Sequence, residues 1–238
     1  MGAGIRRETF FAGGADCVSY GRGAPEVLLL QPVDRRDGGA DREAEAVAAG
    51  TDVPFLLVTF AVEDWDRDLS PWPAPPVFGK EPFGGGADAT LSLLTEEILP
   101  AVRERARADG APAILGGYSL AGLFSLWAAY ETDAFAAAAA VSPSVWFEGW
   151  TDFARVRAPK AGFVYLSLGD AEEKARNRTL STVGDRIREQ HGILLGQGVS
   201  CDLEWNAGNH FADPDGRTAK GFLRCVRALC GRGGEDGA

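Results

Sequence analysis

The sequence predicts an α/β fold with a mostly parallel central sheet and helices on both faces. Apolar runs of strand length alternate with helix-like segments along most of the 238 residues. The runs are almost continuously apolar, as expected of strands that are covered on both faces. Hydrophobic residues make up 45% of the chain and charged residues 24%, which is ample material for a core. We expect one domain over residues 1–230 and a flexible tail at residues 231–238.

The elements follow a regular order. Residues 5–20 are expected to form one or two antiparallel strands at the edge of the sheet. The remaining strands are predicted at residues 26–31, 53–60, 113–118, 135–141, 162–168 and 199–205. Helices are predicted at residues 40–49, 87–108, 120–130, 171–190 and 218–229. The long segment 64–86 is rich in proline, glycine and aromatic residues, and loops of this length are usually functional.

Charge and cysteine content narrow the range of partners. The chain has 24 Lys+Arg against 34 Asp+Glu, a net charge of −10, so nucleic acid and anionic membrane surfaces are not expected as partners. No apolar run approaches the roughly 18 residues of a membrane span. The start of the chain lacks the apolar segment of a secretory signal, so a cytoplasmic protein is expected. The four cysteines show no metal-binding spacing, and we expect free thiols and no metal site.

The most informative motif is a serine between an apolar strand and an apolar helix. The sequence reads Gly117-Tyr118-Ser119-Leu120-Ala121, a G-x-S-x-G nucleophile elbow with alanine in the second glycine position. The residues two before and two after the serine must be small, because strand and helix approach closely there. The positive end of the helix dipole would point at the serine. We predict that Ser119 is a nucleophile; a glycine-rich turn with a capping serine is the alternative.

A nucleophilic serine needs a base, and the chain has only two histidines. His191 lies at the end of a helix-like segment, where a cation complements the helix dipole, so we expect a structural role. His210 follows the last apolar strand in a loop that contains glycine. This is the position of the base in the order Ser, acid, His, so His210 is the predicted base.

Three carboxylates compete to be the acid that orients the histidine. Asp170, Glu172 and Glu173 follow the strand that ends near Gly169. In the chain order Ser, acid, His, the acid belongs in this turn. Acidic residues there could equally favour the dipole of the helix predicted next, with Asp170 as its cap. The residues alone leave the choice open.

Four segments, taken in order, resemble the esterase D-like family of α/β hydrolases, which includes siderophore esterases, feruloyl esterases, S-formylglutathione hydrolases and mycolyltransferases. The segments are GGYSLAGLFSLWAAY, AVSPSVWF, YLSLGDAEE and GNHF. The likeness covers about residues 26–229. It implies an α/β-hydrolase fold without a large cap domain. It also implies a serine esterase that acts on a small-molecule ester, without a metal or an organic cofactor.

The resemblance implies a catalytic triad in which Ser119 is the nucleophile and His210 the base. In many members the acid is the fourth residue of a G-x-x-[DE] turn, which here is Glu172. Asp170 is the second choice. Acyl transfer and thioester hydrolysis would use the same site. A catalytically inactive hydrolase fold used for binding is the alternative from another functional class.

The oxyanion hole of such a site needs two N–H donors. The Leu120 N–H is expected to supply one donor. The segment expected to supply the second reads Gln31-Pro32-Val33-Asp34, where the family usually has His-Gly or Asp-Gly in a loop. Proline has no N–H, so the second donor would be Val33, with Asp34 as the alternative.

Residues that contact the substrate are expected in two places. The resemblance implies that the loop after the strand at 135–141 lines the site, and the aromatic segment 64–86 should border it or else cover the sheet edge. The residues concerned are Ser142, Ser144, Trp146, Trp72 and Trp65. Their aromatic character favours an apolar or aromatic group in the substrate. We expect a monomer or a homodimer.

Overall fold

A computed structural model describes residues 4–21, 23–36, 39–77 and 79–231. The strands are β1 (Arg6–Ala12), β2 (Ala15–Gly21), β3 (Val27–Asp34), β4 (Phe55–Val62), β5 (Pro73–Ala74), β6 (Phe83–Gly84), β7 (Ala113–Tyr118), β8 (Ala137–Val141), β9 (Phe163–Gly169) and β10 (Ser200–Asn206). The helices are α1 (Asp41–Gly50), α2 (Trp65–Asp68), α3 (Ala87–Leu93), α4 (Leu99–Ala106), α5 (Leu120–Glu131), α6 (Trp150–Val156), α7 (Val183–Gly196) and α8 (Pro214–Cys230). A π-helical turn, Leu94–Ile98, joins α3 to α4.

Eight strands form one sheet in the order β1-β2-β4-β3-β7-β8-β9-β10. The pairs β1–β2 and β2–β4 are antiparallel, and every later pair in this order is parallel. The predicted α/β-hydrolase fold, with a mostly parallel sheet and antiparallel strands at one edge, is confirmed. In the described ranges, no separate cap domain stands over the sheet. The carboxyl ends of β7, β8, β9 and β10 therefore lie side by side.

The sheet separates two apolar cores. Along β3, Leu28 and Leu30 face one core, while Val27 and Leu29 face the other. The first core is covered by α3, α4 and α5, and the second by α1 and α8. Helix α5 is buried along almost its whole length, from Leu120 to Tyr130, which explains why its sequence is apolar on every side.

Two predictions about the segment after β9 are wrong. No helix begins at residue 171; a 3-10 turn occupies Glu172–Lys174, and α7 starts only at Val183. The Asn177 side chain accepts from the N–H groups of Thr179 and Leu180 at 2.9 and 3.2 Å, which favours a turn over a helix. His191 accordingly lies inside α7 and not at its end.

Three further predictions concern the segment 64–86, the tail and membrane spans. The segment 64–86 is not structureless, since it contains α2 and the two-stranded ribbon β5–β6. The tail at residues 231–238 lies outside the described residues except for Gly231. Over the ranges that the structure describes, no helix is long and apolar enough to cross a membrane.

Candidate active site

Ser119 lies at the apex of a tight turn between β7 and α5. Its backbone has φ 60° and ψ −118°, which is uncommon and strained for a residue with a side chain. A Cβ added to Gly117 would lie 2.6 Å from the Ala121 Cβ, and one added to Gly122 would lie 2.9 Å from the Val141 O. These close approaches explain why small residues flank the serine.

His210 connects this turn to a carboxylate. Its Nε2 lies 3.0 Å from the Ser119 Oγ, and its Nδ1 lies 2.7 Å from the Glu172 Oε2. In the tautomer that carries the proton on Nδ1, the ring donates to Glu172 and accepts from the serine hydroxyl. The Tyr118 hydroxyl donates to the His210 carbonyl at 2.7 Å and so ties the loop that carries His210 to the end of β7. Burial raises the pKa of Tyr118, so this hydroxyl keeps its proton at neutral pH.

Glu172 is buried, with 4% of its side chain exposed. Its Oε1 accepts from the Gly169 N–H at 2.7 Å, from the Ser142 hydroxyl at 2.8 Å and from the Arg217 guanidinium at 3.3 Å. With His210 on the other oxygen, both carboxylate oxygens have donors. A buried carboxylate needs such partners to offset the loss of water.

The other two carboxylates of this turn have different partners. The Asp170 Oδ1 accepts from the Gly208 N–H at 2.9 Å, in the loop that leads to His210. The alternative in which Asp170 caps an α-helix is wrong, because only a 3-10 turn follows it and that turn has no side-chain cap. The Glu173 carboxylate accepts from Arg188 at 3.1 Å. The geometry thus places only Glu172 in hydrogen-bond contact with the His210 ring.

Sequence reasoning missed Arg217, which lies in the first turn of α8. Its side chain is 4% exposed, and its Nη1 donates to the Tyr118 hydroxyl at 3.0 Å as well as to Glu172. Its Nη2 donates to the Ala207 carbonyl at 2.8 Å. No local motif marks this arginine, because its two side-chain partners, Glu172 and Tyr118, lie 45 and 99 positions away in the sequence.

The loop after β8 supports the serine turn and the carboxylate. Ser142, which has φ 43°, donates its hydroxyl to Glu172 and its N–H to the Ser167 carbonyl. The buried Ser144 donates its N–H to the Ser119 carbonyl at 3.1 Å. Both serines were expected to line the site: Ser142 lines the cavity over Ser119, whereas Ser144 is not among the described residues that line it.

A cavity of about 590 Å³ opens over Ser119 and His210. Its apolar walls come from Trp146, Leu180, Val183 and Phe211. Phe211 is 85% exposed, which is unusual for a phenylalanine beside a pocket. A larger groove of about 640 Å³ lies between the β1–β2 hairpin and α4, and none of the predicted site residues lines it.

Trp72 and Trp65 are not among the described residues that line the cavity over Ser119. The Trp72 indole N–H donates to the Glu148 carbonyl at 2.8 Å, and its ring packs 5.3 Å from the Phe153 ring. Trp65 lies in α2 and packs against the first core. Both contacts fit the covering role that was the alternative for the aromatic segment.

The segment expected as an oxyanion loop is part of a strand. Gln31 to Asp34 complete β3, where Val33 pairs in register with Ala61. Hydrogen bonds from Arg36 lower the pKa of Asp34 to about 2. The expectation of a loop is therefore wrong, and the Val33 donor stays a prediction.

Within the described part of the chain, no group of three or more His, Cys, Asp or Glu residues is placed to hold a metal ion.

Comparison with known proteins places this chain in a family. The family model described as "Putative esterase" matches residues 19–205. Among solved structures, an IroE-like serine hydrolase from Shewanella oneidensis superposes with a TM-score of 0.72 at 15% identity, over 93% of this chain and 79% of that one. The siderophore hydrolase EstB from Aspergillus nidulans gives 0.70 at 19% identity, over 94% of both chains. The BES protein from Bacillus cereus gives 0.64 at 19% identity, over 94% and 96%.

At these identities the solved structures establish the fold alone. The family model spans well over half of the 238 residues. The chain therefore belongs to this esterase family and is a carboxylic ester hydrolase.

Proposed function

We propose that the protein hydrolyses a small-molecule carboxylic ester through an acyl-enzyme formed on Ser119. The observation that carries this proposal is the continuous contact from the Ser119 Oγ to the His210 Nε2 and from the His210 Nδ1 to Glu172, at 3.0 and 2.7 Å. A base in contact with the nucleophile and a third group that orients the base are the parts that serine catalysis needs.

In the proposed first half-reaction, the Ser119 Oγ attacks the acyl carbon while the His210 Nε2 takes the hydroxyl proton. Glu172 accepts the Nδ1 proton in a hydrogen bond and stabilises the imidazolium. His210 then returns its proton to the leaving alkoxide as the C–O bond breaks. The Leu120 N–H, and Val33 as the proposed second donor, stabilise the oxyanion.

In the second half-reaction, His210 takes a proton from water, and the hydroxide oxygen attacks the acyl-enzyme. The C–O bond to Ser119 breaks, the serine recovers its proton from His210, and the carboxylic acid leaves. Transfer of the acyl group to another acceptor, or release of a thiol instead of an alcohol, would use the same steps.

The walls of the cavity support a substrate that carries an apolar or aromatic group. Trp146, Leu180, Val183 and Phe211 surround the space next to Ser119. Pockets lined in this way hold a ligand by apolar contact and orient it with a few polar groups. One structural neighbour is named a siderophore hydrolase, and siderophore esters are accordingly among the substrates to test.

The first experiment tests the nucleophile. The purified protein should hydrolyse p-nitrophenyl acetate and p-nitrophenyl benzoate, and a fluorophosphonate should label it at Ser119. Ser119→Ala should abolish both activities, whereas Ser181→Ala, which removes an exposed hydroxyl bonded to the Arg178 carbonyl, should change neither. Labelling at Ser142 or Ser144 with Ser119 untouched would contradict the proposal.

The second experiment compares the two histidines. His210→Ala should lower kcat by several orders of magnitude, because base and nucleophile act as a unit. His191→Ala, in the middle of α7, should leave kcat and KM unchanged. The reverse result would contradict the proposed base.

A further inference from the structure

We propose that Arg217 is a positioning residue that fixes Glu172 against His210 and joins the three segments of the site. Its consequence for the rate rests on the proposed function, whereas its effect on the Glu172–His210 hydrogen bond does not.

The location of Arg217 does not serve helix α8. A cation in the first turn of a helix lies at the positive end of the dipole, where it is destabilising. The start of α8 is already capped by Asp213, whose side chain accepts from the Gly216 N–H. The guanidinium is also almost fully buried, which removes it from water at a large free-energy cost. The presence of an arginine at this position therefore needs an explanation other than the stability of α8.

The guanidinium contacts three segments, each of which carries one part of the site. Its Nη1 donates to Glu172 and to the hydroxyl of Tyr118, the residue before Ser119. Its Nη2 donates to the carbonyl of Ala207, three residues before His210. The planar, forked arrangement of N–H groups lets one arginine hold several acceptors in a set geometry, which a lysine cannot do.

Glu172 needs such support because its backbone is not held in place by an α-helix or a strand. It begins a 3-10 turn of three residues and not a helix. The Gly169 N–H and the Ser142 hydroxyl also donate to its Oε1, but these donors lie at the ends of β9 and β8 and do not connect the carboxylate to α8. Arg217 is the charged donor, and charge-assisted hydrogen bonds are roughly twice as strong as neutral ones.

The test is a double-mutant cycle between Arg217 and Glu172. Arg217→Met should lower kcat by ~10- to 10²-fold with little change in KM, the range expected when a reacting group is misplaced by about 1 Å. Arg217→Lys should recover part of this loss. In a Glu172→Gln background, Arg217→Met should lower kcat by a smaller factor, because the part of its effect that passes through the carboxylate is already lost. Arg224→Met is the matched control: Arg224 lies two turns along α8 and pairs with Asp202, and kcat should not change.

A spectroscopic readout keeps the test independent of catalysis. A histidine N–H bonded to a carboxylate gives a far-downfield proton resonance, and with two histidines in the chain it is assigned by its loss in His210→Ala and its survival in His191→Ala. The resonance should weaken or move upfield in Arg217→Met and stay in place in Arg224→Met. A wild-type protein that neither hydrolyses esters nor reacts with a fluorophosphonate would overturn the proposed function, while this resonance still tests Arg217.

Two results would overturn the role of Arg217. One is an equal loss of kcat from Arg217→Met in the wild-type and Glu172→Gln backgrounds. The other is a lowered melting temperature with kcat and the downfield resonance unchanged. Arg217→Met leaves Glu172 as a buried charge without its cation, so a second comparison is needed if this variant does not fold. Two comparisons then decide. The double variant Arg217→Met with Glu172→Gln, which is neutral at both positions, is compared with Glu172→Gln alone, and Arg217→Lys is compared with wild type.

Discussion

Glu172 and Glu43 are both buried carboxylates, and the protein surrounds them in opposite ways. Glu172 accepts hydrogen bonds on both oxygens, including one from Arg217 and a close contact with His210. Glu43, on α1, accepts from the Gln31 side chain at 3.0 Å, and its Oε1 has no hydrogen-bond partner among the described residues. Burial is common to both, so the donors make the difference between them.

The contrast has a chemical consequence. Burial raises the pKa of Glu43 to about 8; repulsion from Asp215 adds to this, and the hydrogen bond from Gln31 offsets only part of it. Glu43 is therefore mostly neutral near pH 7. Glu172 has an arginine and an imidazole against it and can act as an acceptor toward His210. A buried carboxylate can orient a base only where the fold supplies the donors that keep it in place.

The largest expected effect separates the two residues by activity. Glu172→Gln keeps the shape of the side chain and removes its charge, and kcat should fall by ~10²–10⁴-fold, the upper end being the loss measured for the orienting Asp of a serine protease. Glu43→Gln is the matched control and should leave kcat and KM unchanged at pH 7. Steady-state kinetics on an aryl ester measure both. Equal losses in the two variants would show that burial, and not contact with His210, matters.

The second prediction concerns the space around Glu172. A Cβ at Gly169 would overlap the Gly208 carbonyl and lie 2.9 Å from the Glu172 Oε1. Gly169→Ala should therefore lower the free energy of unfolding by about 1–3 kcal/mol, as overpacking does, and lower kcat as well. Gly192→Ala is the control, because nothing lies within 4 Å of its added Cβ in α7. Removing a helix glycine there should stabilise the protein by up to ~1 kcal/mol. Urea denaturation of both variants checks the difference, and a stable, active Gly169→Ala would contradict it.

These residues also show what the sequence could predict. The strands and the serine turn were predictable because apolar runs and the small neighbours of Ser119 are local signals. The choice of Glu172 followed from the resemblance, and the residues alone left it open. Arg217 could not be found, because its partners meet it only after β7, β9 and α8 have packed. The start of the helix predicted at 171–190 was wrong, because the side-chain hydrogen bonds of Asn177 outweigh local helix propensity there and α7 begins only at Val183.

The third prediction uses pH to sharpen the comparison. The ordinary pKa of a glutamate, 4.5, applies to the unfolded chain, while the folded value of Glu43 is about 8. Between these values the folded protein holds a proton that the unfolded chain has released, so this group makes stability fall as pH rises, by about 1.4 kcal/mol per pH unit. Below about pH 4.5 the contribution is complete, and above about pH 8 it is lost. Glu43→Gln does not titrate and should gain stability relative to wild type from pH 6 to pH 8 in urea denaturation. A constant difference over that range would show that Glu43 is ionised in the folded protein.

The smallest effect is expected at Asp170, the rival for the role that Glu172 takes. Asp170 is exposed, and its Oδ1 accepts from the Gly208 N–H, so it tethers the loop of His210 without contacting the ring. Asn keeps an oxygen at that position, and Asp170→Asn should retain nearly full kcat and stability. Asp170→Ala loses the bond and should cost about 1 kcal/mol of stability, the usual net value of one hydrogen bond.

The loop should nevertheless hold its position in Asp170→Ala, because two backbone bonds remain. The Asp170 N–H donates to the Asn206 carbonyl at 2.8 Å, and the Ala171 N–H donates to the Gly208 carbonyl at 3.1 Å. The decrease in kcat should therefore be severalfold at most and far smaller than that of Glu172→Gln. If Asp170→Asn is inactive while Glu172→Gln is active, the two carboxylates exchange roles. In that case the loop of His210 would have to rearrange in solution, since the described hydrogen bond of the Asp170 side chain is to the Gly208 N–H and not to the His210 ring.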